Sequence, residues 1–179
     1  MLNFSEKKFL KIGILGGTFD PPHQGHLYIS KVALKKLKLN KIIWLITKHN
    51  PLKKKPYLSI KLRKNLTKKI LKNEKNIFVK SLDDKVKSSS VYKVLKYLKS
   101  KNKKTQFFFL IGADNLVKFH KWNNWKKIPK IAKIIVFPRK GYSFKYINSI
   151  GLKRLAKKDW VYVKSKKVNI SSSLIRKFW

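Results

Sequence analysis

Eleven residues, Gly16-Gly17-Thr18-Phe19-Asp20-Pro21-Pro22-His23-Gln24-Gly25-His26, constrain this chain more than any other stretch. The apolar run Ile12-Gly13-Ile14-Leu15 precedes them, and Leu27, Ile29, Val32, Ala33 and Leu37 follow at helical spacing. The motif therefore belongs at a strand-to-helix turn. The two glycines are expected to let the backbone turn tightly and expose its N–H groups, while Asp20, Pro21 and Pro22 stiffen the bend. His26 is expected in the first turn of the following helix. Unpaired N–H groups and a positive dipole end at a helix start favour anions, phosphate above all. Two imidazoles three residues apart can set two N–H donors on one phosphate chain. Glycine turns and loop histidines are each commonplace. Their convergence at the carboxyl end of a first strand, where open α/β sheets take ligands, points to phosphate handling. A zinc site is disfavoured, because the chain has no cysteine and no carboxylate set stands beside the histidines.

The rest of the chain alternates apolar runs with helical stripes. Ile42–Ile46 reads as a strand buried on both faces of a parallel sheet, followed by a polar, proline-marked loop from Lys48 to Pro56. Ser59 opens a helix with Leu62, Leu66 and Ile70 on one face. Ile77–Val79 is a short third strand, and Asp83 to Ser90 is expected as loop. Val91, Val94, Leu95 and Leu98 form a helical stripe. Phe107–Ile111 and Lys133–Phe137 give the fourth and fifth strands, and Trp160–Val163 a sixth. Ser171-Ser172-Ser173 reads as an N-cap cluster opening a final short helix. No repeat or linker separates a second domain. The alternation predicts an α/β fold with a doubly wound parallel sheet, formed as a single domain over residues 1–179.

Composition narrows the class. The hydrophobic content of 43% excludes a disordered chain despite a formal net charge of +39. No apolar run approaches the ~18 residues that span a membrane, and the first eight residues lack the order of a signal peptide. A cytoplasmic protein with no membrane partner is expected. The charge raises the alternative of a basic RNA-binding protein. However, the lysines are spread along the chain and accompany abundant Ile, Asn, Phe and Tyr, the pattern of AT-rich codon drift. No specific nucleic-acid partner is expected.

Two further constellations bear on ligands. Ser171, Ser172 and Ser173 at a helix start, with Arg176 one turn later, suggest a second anion pocket; taken alone they read as a plain N-cap with a surface arginine. Asp114 follows Gly112 at the end of the fourth strand, where a carboxylate can accept ribose hydroxyls.

The first motif resembles the T/HxGH signature of the nucleotidyltransferase superfamily, in the GGTFDPxHxGH form of bacterial nicotinate-nucleotide adenylyltransferases. Phe109-Leu110-Ile111-Gly112-Ala113-Asp114 is similar to that family's FIIGxD turn. Phe119-His120-Lys121-Trp122, then Ala132 with Ile134-Ile135-Val136, then Arg139-Lys140-Gly141-Tyr142, resemble its F-x-x-W, A-x-I-I-V and R-x-G-Y block. Asn169-Ile170-Ser171-Ser172-Ser173-Leu174-Ile175-Arg176 resembles its closing ISSTxIR. The resemblance spans nearly the whole chain and implies a Rossmann-like fold. The first and last motifs belong to the whole superfamily, which also holds pantetheine-phosphate adenylyltransferase. The middle block favours the nicotinate enzymes.

The resemblance implies adenylyl transfer from ATP to nicotinate mononucleotide, with Mg²⁺ carried on the triphosphate. It assigns His23, His26 and Arg176 to catalysis. The ATP site would comprise Gly16, Gly17, Thr18, Phe19, His23, His26, Gly112, Asp114, Ile170, Ser171, Ser172, Ser173 and Arg176. The mononucleotide site would comprise Thr18, Lys53 or Lys54, Ser90, Trp122 and Arg139, with Trp122 stacking on the nicotinate ring. The chain departs from the family at three places. Ser173 replaces a threonine, Lys140 replaces a proline, and Ser88–Leu95 lacks both threonines of the segment that holds the nicotinate carboxylate.

Overall fold

The computed structural model describes residues 10–142, 146–166 and 169–179; the segment 1–8, read above for a leader, lies outside them. Its centre is a parallel sheet of six strands: β1 (Lys11–Gly17), β2 (Lys41–Ile46), β3 (Ile77–Lys80), β4 (Gln106–Gly112), β5 (Ala132–Phe137) and β6 (Trp160–Tyr162). They lie in the order β3-β2-β1-β4-β5-β6, so the chain winds outward in one direction from β1 and in the other from β4. This is the doubly wound α/β sheet that the alternation predicts.

Strand side chains alternate between two cores, one on each face of the sheet. Ile43, Leu45, Phe107, Phe109, Ile111, Ile134 and Val136 share one core with Val94, Leu95 and Leu98 of α4 (Val91–Lys101) and Leu116 of α5 (Ala113–Val117). Ile42, Trp44, Ile46, Phe108, Leu110, Ile135 and Phe137 share the other with Leu27 and Ala33 of α1 (Gln24–Lys36). The continuous apolar strands are thus explained by burial on both faces. Because α1 and α5 cover opposite faces, a crevice opens between the carboxyl ends of β1 and β4.

Two local readings need correction. In α2 (Ile60–Ile70), capped by the Ser59 side chain accepting from Leu62 N–H, the buried positions are Arg63 and Thr67, while Leu62 is 44% exposed. The polar pair wins because its hydrogen bonds are satisfied. Arg63 Nε donates to Leu58 O (3.0 Å), Nη1 to Thr18 O (2.6 Å) and Thr47 O (2.8 Å), and Nη2 to Lys48 O (3.1 Å). Thr67 Oγ1 donates to Arg63 O at 2.8 Å. The stretch after Asp83 is not all loop, since Asp83–Val86 forms the one-turn helix α3. Asp83 is buried there, and Lys87 closes the turn with φ 50°. The remaining short helices are α6 (Ile150–Lys153) and α7 (Ser172–Ile175).

The burial pattern of α2 inverts the usual ranking of its residues. Arg63→Ala leaves four partly buried carbonyls without their donor and should cost about 2 kcal/mol. Leu62→Ala should stay within about 0.5 kcal/mol of the parent. Urea unfolding of the two variants tests this; equal losses would refute it.

Candidate active site

The turn after β1 is built differently from the glycine reading. Gly16 and Gly17 stay in the strand, and the left-handed residue is Phe19, with φ 50°. Such a conformation is uncommon for a bulky side chain. Packing holds it: Phe19 is buried, stacks on Trp44 at 5.1 Å and meets the His26 ring at 4.7 Å. At Gly112 the backbone is ordinary extended chain, and a Cβ there would require only that the Asp114 carboxylate swing aside.

His23 is the N-cap of α1 and His26 lies in its first turn. Their rings pack 3.8 Å apart. The His23 backbone N–H donates to His26 Nδ1 at 3.2 Å, so the neutral His26 ring carries its proton on Nε2 and presents that atom as a donor. Behind it, Trp44 Nε1–H donates to Ser30 Oγ, which donates to His26 O, both at 2.8 Å. His23 Nδ1 is buried without a hydrogen-bond partner. Burial, reinforced by the nearby Arg139 charge, lowers the His23 pKa to about 4. Burial, then the charges of His23 and Arg139, hold His26 well below its usual 6.5. Both imidazoles are therefore neutral at pH 7.

A cavity of about 890 Å³ occupies the crevice, large enough for a dinucleotide-sized ligand. Gly16, Gly17, Thr18, Phe19, His23 and His26 line it from β1 and α1, and Gly112 and Asp114 from β4 and α5. Ser171, Ser172 and Ser173 close it from the carboxyl-terminal turn, where Ser171 caps α7 and Ser172 Oγ donates to Pro21 O at 2.8 Å. Lys53, Ser90, Trp122 and Arg139 line the remainder. Trp122 is half-buried, packs on Phe109 and Phe119, and is the only one of the five tryptophans on the cavity wall.

Three expected residues do not line the cavity. Lys53 and Lys54 are both exposed, but only Lys53 borders the cavity. Ile170 is set back and accepts from Arg139 Nη1 at 2.9 Å. Arg176 lies behind Ser173, with Nη2 donating to Ser173 Oγ at 3.3 Å and Nη1 donating to Asp20 O.

Three buried residues organise the walls in a role that the sequence motifs do not reveal. Arg63 ties Thr18 to Thr47 and Lys48, as described above. Asp83 Oδ2 accepts from Thr47 Oγ1 (2.8 Å), Lys48 N–H (2.8 Å) and Ser89 Oγ (2.7 Å). Asp20, read above only as part of a bend, accepts from Tyr57 N–H and Leu58 N–H, both at 2.9 Å. For the two aspartates the available signal was scarcity, since the chain has only 7 acidic side chains against 46 basic ones.

The histidine pKa values fix a stability window. Below pH 6.5 the unfolded chain takes up a proton that folded His23 refuses until about pH 4. This contribution to stability is intact above pH 6.5 and is lost as the pH falls toward 4, by about 3 kcal/mol for His23 at ~1.4 kcal/mol per pKa unit. Urea unfolding of the ligand-free protein at pH 7, 5.5 and 4 should show a steeper loss for the parent than for His23→Gln. Parallel curves would contradict the depressed pKa.

Residues 14–178 match the Cytidylyltransferase-like family. A Pelagibacter ubique protein named "Probable nicotinate-nucleotide adenylyltransferase" is 47% identical over 175 residues, covering 98% of this chain and 96% of the relative. A Bradyrhizobium protein of the same name is 31% identical, covering 93% and 95% of the two chains. Among solved structures, the Plasmodium falciparum nicotinic acid mononucleotide adenylyltransferase complexed with NaAD superposes with a TM-score of 0.76 at 23% identity, over 94% of this chain and 83% of that one. That likeness establishes the shared fold. With 47% and 31% identity to these named relatives over nearly the full length of both chains, and the cavity at the sheet's reversal point, the chain belongs to the nicotinate-nucleotide adenylyltransferase family of the cytidylyltransferase-like proteins.

Proposed function

We infer that this protein transfers the adenylyl group of ATP to nicotinate mononucleotide, giving nicotinate adenine dinucleotide and pyrophosphate in NAD biosynthesis. Residues 1–179 act as one transferase domain, in the cytoplasm. The observation that carries the reading is the pair of neutral, packed imidazoles in a cavity that also reaches Trp122 and the Ser171–Ser173 turn.

A phosphate oxygen of the mononucleotide attacks the α-phosphorus of ATP in line. One P–O bond forms as the bond to the departing pyrophosphate breaks. No cysteine is available as a nucleophile, and such transfers need positioning and charge neutralisation above all. His23 and His26 donate to phosphate oxygens, with the His26 donor set by the His23 backbone. Thr18, Phe19 and the Gly16–Gly17 and Gly112 backbones border the nucleotides, and Asp114 accepts from the ribose. The Ser171–Ser173 turn serves the β- and γ-phosphates, with Arg176 reaching them past Ser173 and Ile170 acting through the hydrogen bond it accepts from Arg139. Lys53 and Arg139 face the mononucleotide phosphate.

Mg²⁺ accompanies ATP in this reading. Among the described residues no three His, Asp or Glu side chains cluster as a metal cage; the ion would be held mainly by phosphate and water. When bound it offsets triphosphate charge. No helix among the described residues is long and apolar enough to cross a membrane.

Substrate preference rests on the far wall. Trp122 offers a ring face for the pyridine, while Ser88, Ser89 and Ser90 stand at the start of α4. Ser90 Oγ is buried without a hydrogen-bond partner, an unused group suited to a carboxylate in place of the missing threonines. Incubation with ATP, Mg²⁺ and either nicotinate or nicotinamide mononucleotide, with products identified by mass, should show strong preference for the acid. Equal kcat/KM for both would replace this reading with dual specificity. Trp122→Ala should raise KM for the mononucleotide more than for ATP.

His26→Ala should lower kcat by about two orders of magnitude or more, the usual cost of losing one transition-state donor. Circular dichroism should report an intact fold. A folded variant with near-normal turnover would exclude His26 from the chemistry.

A further inference from the structure

We propose that Tyr57 is a positioning residue that seats the Arg176 guanidinium at the rim of the ATP site. The proposal rests on the assignment of Arg176 to the triphosphate made above.

Tyr57 is 72% exposed, so the core does not account for a large aromatic there. Its ring lies against Arg176, whose Cζ is 5.0 Å from the ring centroid. The platform itself is fixed, because the backbone N–H of Tyr57 donates to Asp20 Oδ2. The same oxygen faces Arg176 Nη1 at 3.5 Å, and Ser173, on the cavity wall, accepts from Nη2. The guanidinium is thus bounded by a carboxylate, a hydroxyl and an aromatic face. A flexible arginine must give up rotamer freedom to grip an anion; a seat that already confines it removes part of that cost. Tyr57 is the part of the seat that can be altered without touching buried structure.

The test is calorimetric titration of the full-length protein with ATP and, separately, with nicotinate mononucleotide, at about 150 mM salt to screen nonspecific attraction. Tyr57→Ala should weaken ATP binding about two- to fivefold, the range of an exposed cation–π contact. Mononucleotide affinity and the thermal midpoint should stay at the parent values. Tyr57→Phe, which keeps the ring, should bind ATP as the parent does. Arg176→Ala should lose more than Tyr57→Ala, and the double variant should match Arg176→Ala, because the seat acts only through the arginine. Unchanged or tighter ATP binding in Tyr57→Ala, equal loss for both ligands, or a double variant weaker than Arg176→Ala would each overturn the proposal. Absence of dinucleotide product from the parent protein would instead overturn the functional reading, and the ATP titrations would still decide the role of Tyr57.

Discussion

The cavity depends on one buried guanidinium. Arg63 reaches from α2 to the loops that leave the carboxyl ends of β1 and β2 and donates to four carbonyls, of Thr18, Thr47, Lys48 and Leu58. Those carbonyls belong to loops that leave a parallel sheet, where strand ends run out of ladder partners. A side chain with planar, forked donors can satisfy several of them at once. Burial lowers the arginine pKa, while the Asp20 and Asp83 charges oppose that shift. Neither aspartate is a direct partner of Arg63; each binds loop N–H groups, so one cation and two anions divide the donors and acceptors of the same loops. The β1–α1 turn is thereby held against the β2–α2 connection before any ligand arrives.

The charge composition is consistent with this division of labour. With 46 basic and 7 acidic side chains, the chain keeps its carboxylates mainly where a specific partner uses them. Asp20 and Asp83 are buried among loop N–H groups, Glu74 pairs with Lys31 at 2.7 Å, Asp84 pairs with Lys48, and Asp114 lines the cavity. Surface ion pairs contribute little in general, so drift toward lysine at exposed positions costs little folding stability. The same drift would be damaging at Asp20 or Asp83, where the loops would lose acceptors that no other side chain supplies.

The strands were legible because burial on both faces leaves unbroken apolar runs, and Ile42–Ile46 and Phe107–Ile111 lie where such runs placed them. The helix after the first motif and the caps at Ser59 and Ser171 were legible from local chemistry. Most of the cavity wall was legible too, since the motif residues sit at strand ends that the topology brings together. What escaped was long-range polar structure. Apolar spacing in α2 pointed to Leu62, yet the inward face belongs to Arg63, whose acceptors lie 5 to 45 residues away in sequence. The left-handed Phe19 was hidden because two adjacent glycines offered a simpler turn. The choice of Lys53 over Lys54 depended on loop geometry that no periodicity encodes.

The neutral state of the histidine pair completes the argument. Only interactions that strengthen as charge develops in the transition state speed the chemical step. Here Arg139 supplies constant charge beside two imidazoles that burial keeps uncharged. In the proposed transfer each imidazole would offer an N–H dipole to a phosphate oxygen, an attraction that grows as negative charge builds on the departing pyrophosphate. Burial of the two rings enlarges that response, because it is screened less than in bulk water. The packing of His26 against Phe19 and Trp44, and the hydrogen bond that fixes its tautomer, keep the donor in place without reorganisation during transfer. The apolar wall around the motif and its phosphate chemistry are therefore one device: burial keeps the donors neutral at rest and sharpens their response to charge.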